Sequence, residues 1–377
     1  MLQNANSVNQ LVDNTKSNIH IYMEKGDYQA AENLVMELLS FNPFDHEMLY
    51  ILSVIKFQRN ELVAAQMLIE KAIKEDLQNS KYWCNLGIYL QEMKQYAHAE
   101  IAYKKAIEYD TYNVRALNSL GSLYFNMQKY KEAENFFGNA AKIDVNNTVA
   151  DYFMKLLKGE QVDIAPKEYI ERLFDSYSAT FDKHLTDVLE YKTPDSIADI
   201  FNTLNFPKNL LEIKVLDLGC GTGMVAEKIV NKIANNQLPI QFYGIDLSER
   251  MLEIAKSRKI YSKLRLSSIE DFFKTNKKQF NCVIAADVFV YIGDLEDIFK
   301  STHNVLKDSG SFIFSIERLD NESNFKLIKE SARYSHSEQY IRLLANNFGF
   351  KIDSIIHTNL RKEKGEIIPG LLVHLVK

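Results

Sequence analysis

Two acids set around three alternating glycines are the residues of this sequence best placed for chemistry. Asp217 lies in Val215-Leu216-Asp217-Leu218-Gly219-Cys220-Gly221-Thr222-Gly223, and Asp246 closes Tyr243-Gly244-Ile245-Asp246. Glycines at the end of a strand let the backbone approach a ligand that side chains would exclude, and an acid ending the next strand can accept both hydroxyls of a ribose. The pattern predicts a nucleotide-shaped pocket near the middle of the chain. A dinucleotide fingerprint reads G-x-G-x-x-G and brings a pyrophosphate to a helix N-terminus. Here the glycine spacing differs, and Asp217, two residues before the first glycine, repels a pyrophosphate but suits the ammonium of a methionine moiety. Ammonium and ribose together point to S-adenosylmethionine.

The elements that must position this loop are legible around it. Strands are predicted at 213–218, 241–246, 263–267, 281–286 and 310–316, alternating with helices at 223–236, 248–258, 269–275, 294–307 and 335–348. Such alternation predicts a doubly wound parallel sheet. Lys351 to Thr358 and Ile368 to Val376 read as two terminal strands joined by a charged turn, Arg361 to Glu366. Before the sheet, Tyr169 to Leu189 is helical in pattern and aromatic-rich, and a further helix runs to about Phe206.

The first half repeats at a period of 34 residues. Leu86 and Gly87 recur as Leu120 and Gly121, Ala99 as Ala133, Tyr103 as Phe137, and Ala106 as Ala140. This is the tetratricopeptide pattern, in which small residues let paired helices approach and an aromatic wedges between them. Four helical hairpins are predicted near 12–45, 46–79, 80–113 and 114–147, with Thr148 to Lys158 as a capping helix. The domain reading is repeats over 1–158, a linker with aromatic-rich lid helices over 159–206, and a catalytic domain over 207–377. Stacked repeats form a groove that commonly holds a peptide or helix.

The chain's 377 residues suit two domains. Its net charge of −5 argues against a general nucleic-acid binder. Residues 1–165 hold 16 basic and 21 acidic side chains and so carry the whole acidic excess. Cys84, Cys220 and Cys282 are scattered, without a CxxC pair or a Cys/His cluster at metal spacing, so neither a disulfide framework nor a metal is expected. With no signal-like start and no apolar run of about 18 residues, the sequence reads as a soluble cytoplasmic protein with no membrane partner.

Residues 166–377 resemble a class I S-adenosylmethionine-dependent methyltransferase, and the whole chain resembles bacterial methyltransferases fused to tetratricopeptide repeats. The resemblance is carried by L-F-D-S-Y-S-A-T-F-D-K-H-L at 173–185, the glycine loop, A-A-D-V-F-V-Y-I-G-D-L-E at 285–296, F-S-I-E at 314–317, R-Y-S-H-S at 333–337 and P-G-L-L-V at 369–373. It implies a Rossmann-like seven-stranded sheet behind an α-helical solenoid, with S-adenosylmethionine as cofactor. Position by position it assigns Asp217, Gly219, Gly221 and Gly223 to the methionine end and Asp246 to the ribose. Leu247 and Met251 fall on the adenine face. Ser268 stands where many relatives have an acid beside the adenine amino group, leaving the Ile269 amide to serve, with Glu270 or Asp271 in compensation. Asp287, after the fourth strand, falls where the transferable methyl points.

Methyl transfer is an in-line displacement, so the protein must align the nucleophile, exclude water and remove a proton where the nucleophile carries one. His184 and His336 are the candidate bases, with Tyr177, Tyr291 and Tyr340 as orienting hydroxyls. Phe289 and Tyr291 are read as lining the acceptor pocket, Tyr177 and Phe181 as a lid, and Arg333 as a clamp for a carboxylate or phosphate. The N-P-P-Y motif of amino-group methylases acting on adenine or glutamine is missing after the fourth strand. The leading expectation is methylation of a protein or peptide recruited by the repeat groove. The alternatives are a small-molecule or sugar methyltransferase whose repeats dimerise it or attach it to an assembly, and a non-catalytic cofactor-binding scaffold.

Overall fold

The computed structural model describes residues 2–177, 181–207, 210–232, 239–320, 323–363 and 365–377. The chain divides into two compact units, Met1–Met154 and Lys155–Lys377.

The N-terminal unit is built of antiparallel helix pairs: α1 (Leu2–Glu24) with α2 (Tyr28–Phe41), α3 (His46–Gln58) with α4 (Leu62–Glu75), α5 (Ser80–Glu92) with α6 (Tyr96–Tyr109), and α7 (Val114–Asn126) with α8 (Tyr130–Ile143). A further helix, α9, covers Thr148–Lys158. The small residues work as steric spacers. A Cβ at Gly87 would stand 2.5 Å from the Tyr103 ring, and one at Gly121 would stand 3.0 Å from Phe137. Ala31, Ala65, Ala99 and Ala133, each 34 residues from the next, are wholly buried. The same period is written in the backbone. Gly26, Asn60, Lys94 and Gln128 close the first helix of each pair in the left-handed region, at φ 70°, 59°, 59° and 59°.

The C-terminal unit opens with α10 (Lys167–Tyr177), a short helical turn α11 (Phe181–Lys183) leading into a π-helical turn (His184–Val188), and α12 (Thr193–Thr203). The sheet strands and helices then alternate: β1 (Ile213–Leu218), α13 (Met224–Lys232), β2 (Ile240–Asp246), α14 (Glu249–Ser257), β3 (Tyr261–Leu266), α15 (Ile269–Thr275), β4 (Phe280–Ala285), α16 (Glu296–Val305) and β5 (Leu306–Arg318). There follow β6 (Phe325–Ile328), β7 (Arg333–His336), α17 (Glu338–Asn347), β8 (Lys351–Glu363) and β9 (Glu366–Val376).

Parallel strands β3-β2-β1-β4-β5 form the heart of the sheet, and β9 adds antiparallel to β5, with β8 outside it. Alternation along the strands sends Leu216, Leu218, Val283, Ala285, Phe312 and Phe314 to one face, packed with α15, α16 and α17. Val215, Cys282, Ile284 and Ile313 go to the other, packed with α12 and α13. Burial on both faces explains why these strands read as continuous apolar runs. Ser248, Ser268 and Ser337 cap α14, α15 and α17 by accepting the N–H three residues on, which places those helix starts at the carboxyl edge of the sheet.

The seven expected strands are all present, as β1 to β5 with β8 and β9, and the described residues add two more. The two additions, β6 and β7, form a hairpin before α17. Beyond the end of β4, β7 pairs in parallel with Glu317 and Arg318 of β5. Residues 333–336, expected partly as helix, are therefore strand. The charged turn expected at Arg361 to Glu366 is largely strand as well, since β8 continues to Glu363 and carries Arg361 inward.

Left-handed backbone costs a non-glycine residue about 1–2 kcal/mol, while glycine costs about 0.4–1 kcal/mol in unfolded-state entropy. Lys94→Gly and Gln128→Gly should therefore each stabilise the N-terminal unit by about 0.5 kcal/mol, read as a higher urea midpoint for the helical signal.

Candidate functional site

The three glycines turn the chain off β1 with φ of 62°, 53° and 88° at Gly219, Gly221 and Gly223. This backbone is in the region that side chains disfavour. A Cβ at Gly219 would strike Val288 at 2.6 Å, whereas one at Gly221 would meet only Phe181, at 3.9 Å, and so would fill the space the loop leaves open. Behind the loop Asp217 is buried and accepts a 2.6 Å hydrogen bond from the Tyr261 hydroxyl. Burial pushes its carboxyl up to about 7, against the pull of that hydrogen bond, and Asp246 adds to the rise. Asp246 accepts from the Gly221 N–H at 2.8 Å and the Ser248 N–H at 2.9 Å. Burial raises its carboxyl too, opposed by those backbone donors.

These groups line one end of a cavity of about 410 Å³. All its lining residues belong to the C-terminal unit. Leu247, Ser268, Ile269 and Glu270 continue this end; Asp287, Tyr291, Arg333, Arg361 and Glu363 surround the other. The wall between is apolar: Ile170 and Phe174 from one face of α10, then Phe181, Leu185 and Leu189.

The α10 segment and the helical turn after it are tied to the loops that follow β3, β2 and β1. Lys167 Nζ reaches Ser268 Oγ at 2.9 Å and Asp271 at 2.8 Å after β3. The Ser248 hydroxyl, after β2, donates to Asp175, whose backbone oxygen accepts from Arg250 at 3.1 Å. Asp182 accepts from Thr222 in the glycine loop and pairs with Arg258, which also donates to the Thr222 carbonyl at 2.6 Å. Entry to α10 is fixed by the Ala165 N–H on the Tyr291 carbonyl at 3.0 Å.

At the opposite end lies a connected set of charges. Asp287, at φ 54°, accepts from Ser315 Oγ and from Arg361, both at 2.8 Å. Arg361 also pairs with Glu317 and stands 3.6 Å from Glu363, while Arg333 donates to Glu363 at 2.6 Å. Two guanidiniums thus face three carboxylates.

Several expected site residues do not reach the cavity. His336 is fully buried between Phe325 and Tyr340, with Nε2 at 2.9 Å and 3.0 Å from the carbonyls of Ile292 and Gly293. Its Nδ1 has no partner among the described residues, so the assignment as a base is corrected to a neutral core histidine. Burial lowers its pKa to about 4, although the two carbonyl contacts favour the charged form. The Tyr340 hydroxyl is engaged by Asp294 and the Leu295 N–H, and Phe289 packs in the core against Phe312 and Phe314. Met251 is wholly buried and lies outside the cavity lining, unlike its predicted neighbour Leu247. The side chains of Tyr177 and His184 lie outside the described residues. Sequence reasoning missed Tyr261, Tyr191, Arg361, Glu317 and Glu363. No local pattern marks the inward turn of Arg361, because the register of β8 shifts between Asn359 and Arg361 and both Leu360 and Arg361 are buried.

The methyltransferase-domain family model matches residues 211–365, and the tetratricopeptide-repeat model matches residues 80–113 and 114–147. The malonyl-(acyl-carrier protein) O-methyltransferase of Priestia megaterium is 25% identical over 183 residues, 48% of this chain and 61% of its own length. A similarly named enzyme of Ilyobacter polytropus is 29% identical over 157 residues, 40% of this chain and 54% of its own. A solved S-adenosylmethionine-dependent methyltransferase from Clostridium acetobutylicum is 20% identical with a TM-score of 0.38, covering 54% of this chain and 98% of that one. The chain thus spans between half and two thirds of the length of these curated relatives. It carries a methyltransferase domain of the S-adenosylmethionine-dependent class. Tetratricopeptide repeats precede that domain in the same chain.

A histidine held neutral by the fold makes stability fall with acid. Between its unfolded pKa near 6.5 and its folded value of about 4 the unfolded chain binds the extra proton, so this contribution is complete above about pH 6.5 and lost toward pH 4. His336→Gln, which keeps an N–H donor, should remove about 3 kcal/mol of pH dependence across that window in urea titrations.

Proposed function

We propose that this protein transfers a methyl group from S-adenosylmethionine to a small acceptor that carries an uncharged or basic O–H or N–H group and is enclosed in the cavity of the C-terminal unit. The observation that carries it is the cavity itself: a donor cradle at one end, an apolar wall, and hydrogen-bonding carboxylates at the other. The left-handed glycine loop and the two acids beside it suit the donor's methionine and ribose ends, with Leu247 and Ile269 beside its base. When bound, the donor supplies an electrophilic methyl group.

The rest of the work falls to the chain. Ile170, Phe174, Leu185 and Leu189 keep water from the reacting centre, where positioning counts most. Asp287 and Glu363 face the same space; a carboxylate there orients an acceptor O–H or N–H and receives its proton. Arg333 and Arg361 are both engaged by acids, and the set carries one more carboxylate than guanidinium, which disfavours an anionic acceptor. The repeats, in this proposal, recruit a protein partner in the cytoplasm, and the 159–206 segment acts as the lid.

Incubation of the full chain with radiolabelled donor and a lysate of its host, followed by separation of solvent-extractable metabolites from acid-precipitated polypeptide, tests the acceptor class. Label is expected among the metabolites. Label confined to polypeptide, or to acids such as carboxylates, overturns it.

A further inference from the structure

The third glycine of the loop makes room for a side chain. A Cβ at Gly223 would lie 2.9 Å from the Tyr261 ring, and one at Gly244 in β2 would lie 2.8 Å from the same ring. Between these two glycines Tyr261, the first residue of β3, reaches past the intervening strand to β1 and donates to Oδ2 of Asp217. Oδ1 of Asp217 accepts no hydrogen bond among the described residues, and the carboxyl lines the cavity. Three strands therefore combine to fix one oxygen and free the other.

We propose that Tyr261 is a positioning residue for the methyl donor: by fixing one oxygen of Asp217 it presents the other, as a carboxylate, to the donor's ammonium. The proposal rests on the donor assignment made above. The geometry explains a feature that ligand approach alone leaves unaccounted for. Gly244 sits inside a strand, where a glycine weakens the ladder unless something needs the space. Cys220 and Leu264 also close on Gly244, at 2.7 Å and 2.8 Å from a Cβ there, so the ring shares the gap that this glycine leaves with a thiol and a leucine.

The groups facing Asp217 are few. Tyr261 comes from β3 with Arg258 beside it, Asp246 from β2, Cys220 from the loop, Cys282 from β4 and Tyr191 from the segment before α12. Burial keeps both thiols and Tyr191 neutral. Asp246 repels a charge on Asp217, so the Tyr261 hydroxyl is the donor that favours its ionised form.

The test uses S-adenosylhomocysteine, which has the ammonium without the reactive methyl, and calorimetric titration of the full chain from about pH 5.5 to about 9. Wild-type affinity should climb through about pH 7 as Asp217 ionises. Tyr261→Phe should move that midpoint up by about one pH unit, so that binding is about tenfold weaker below pH 6.5 and nearly equal at pH 9. Asp217→Asn should bind weakly at every pH, and adding Tyr261→Phe to it should change nothing further. Tyr261→Met, which also lacks the hydroxyl, stands in with the same expected shift if Tyr261→Phe does not fold. Wild-type binding with an unshifted midpoint in Tyr261→Phe, or a further loss in the double variant, overturns the proposal alone. No wild-type binding at any pH overturns the donor assignment and the proposal with it.

Discussion

Arg361 must be held out of water without being left alone, and much of the C-terminal unit follows from that requirement. Its side chain is 4% exposed and pairs with Asp287 after β4 and with Glu317 at the end of β5. Removing such charges from water costs several kcal/mol each unless the partners are close and well oriented. Three elements are consequently obliged to meet. β8 must run past its apolar stretch to bring the guanidinium inward, β5 must extend to Glu317, and Asp287 must adopt a left-handed backbone to turn its carboxylate toward the arginine. The β6–β7 hairpin completes the arrangement by delivering Arg333 to Glu363.

The donor end uses a different solution. Asp217 and Asp246 are held by a phenol and by backbone N–H groups, with no cation among their hydrogen-bond partners in the described residues. Their charge is oriented but not cancelled, which suits an ammonium and ribose hydroxyls. Asp287, by contrast, is largely neutralised by Arg361. Under the proposed function, one cavity therefore offers an unbalanced acidic end to a cation and a nearly balanced end to an acceptor.

The sequence exposes these features unequally. A period of 34 in Gly87, Tyr103, Ala99 and their counterparts is enforced by direct steric contact, so it survives in the residue types. The glycine loop is similarly visible because left-handed backbone restricts the choice of residue. His336 misled because a histidine in a polar run resembles a base, whereas its environment is set by Phe325, Tyr340 and two carbonyls from other elements. Arg361 to Glu366 resembled a turn for the same reason: charge suggests solvent, and only the positions of Asp287 and Glu317, far apart in sequence, show that the charge is buried. Tyr261 gave no local signal, since its role lies two strands away.

The ties that bind the α10 segment have a bearing on discrimination. Lys167, Asp175 and Asp182 each fasten this one segment to a different loop, those after β3, β2 and β1 respectively. If the donor binds as proposed, its base, ribose and amino-acid ends fall to loops that share a common strap. A nucleoside or a free amino acid occupies only part of what the strap spans and leaves the remaining loops to close over water. Under that proposal, preference for the whole donor over its fragments rests on three contacts, those of Lys167, Asp175 and Asp182.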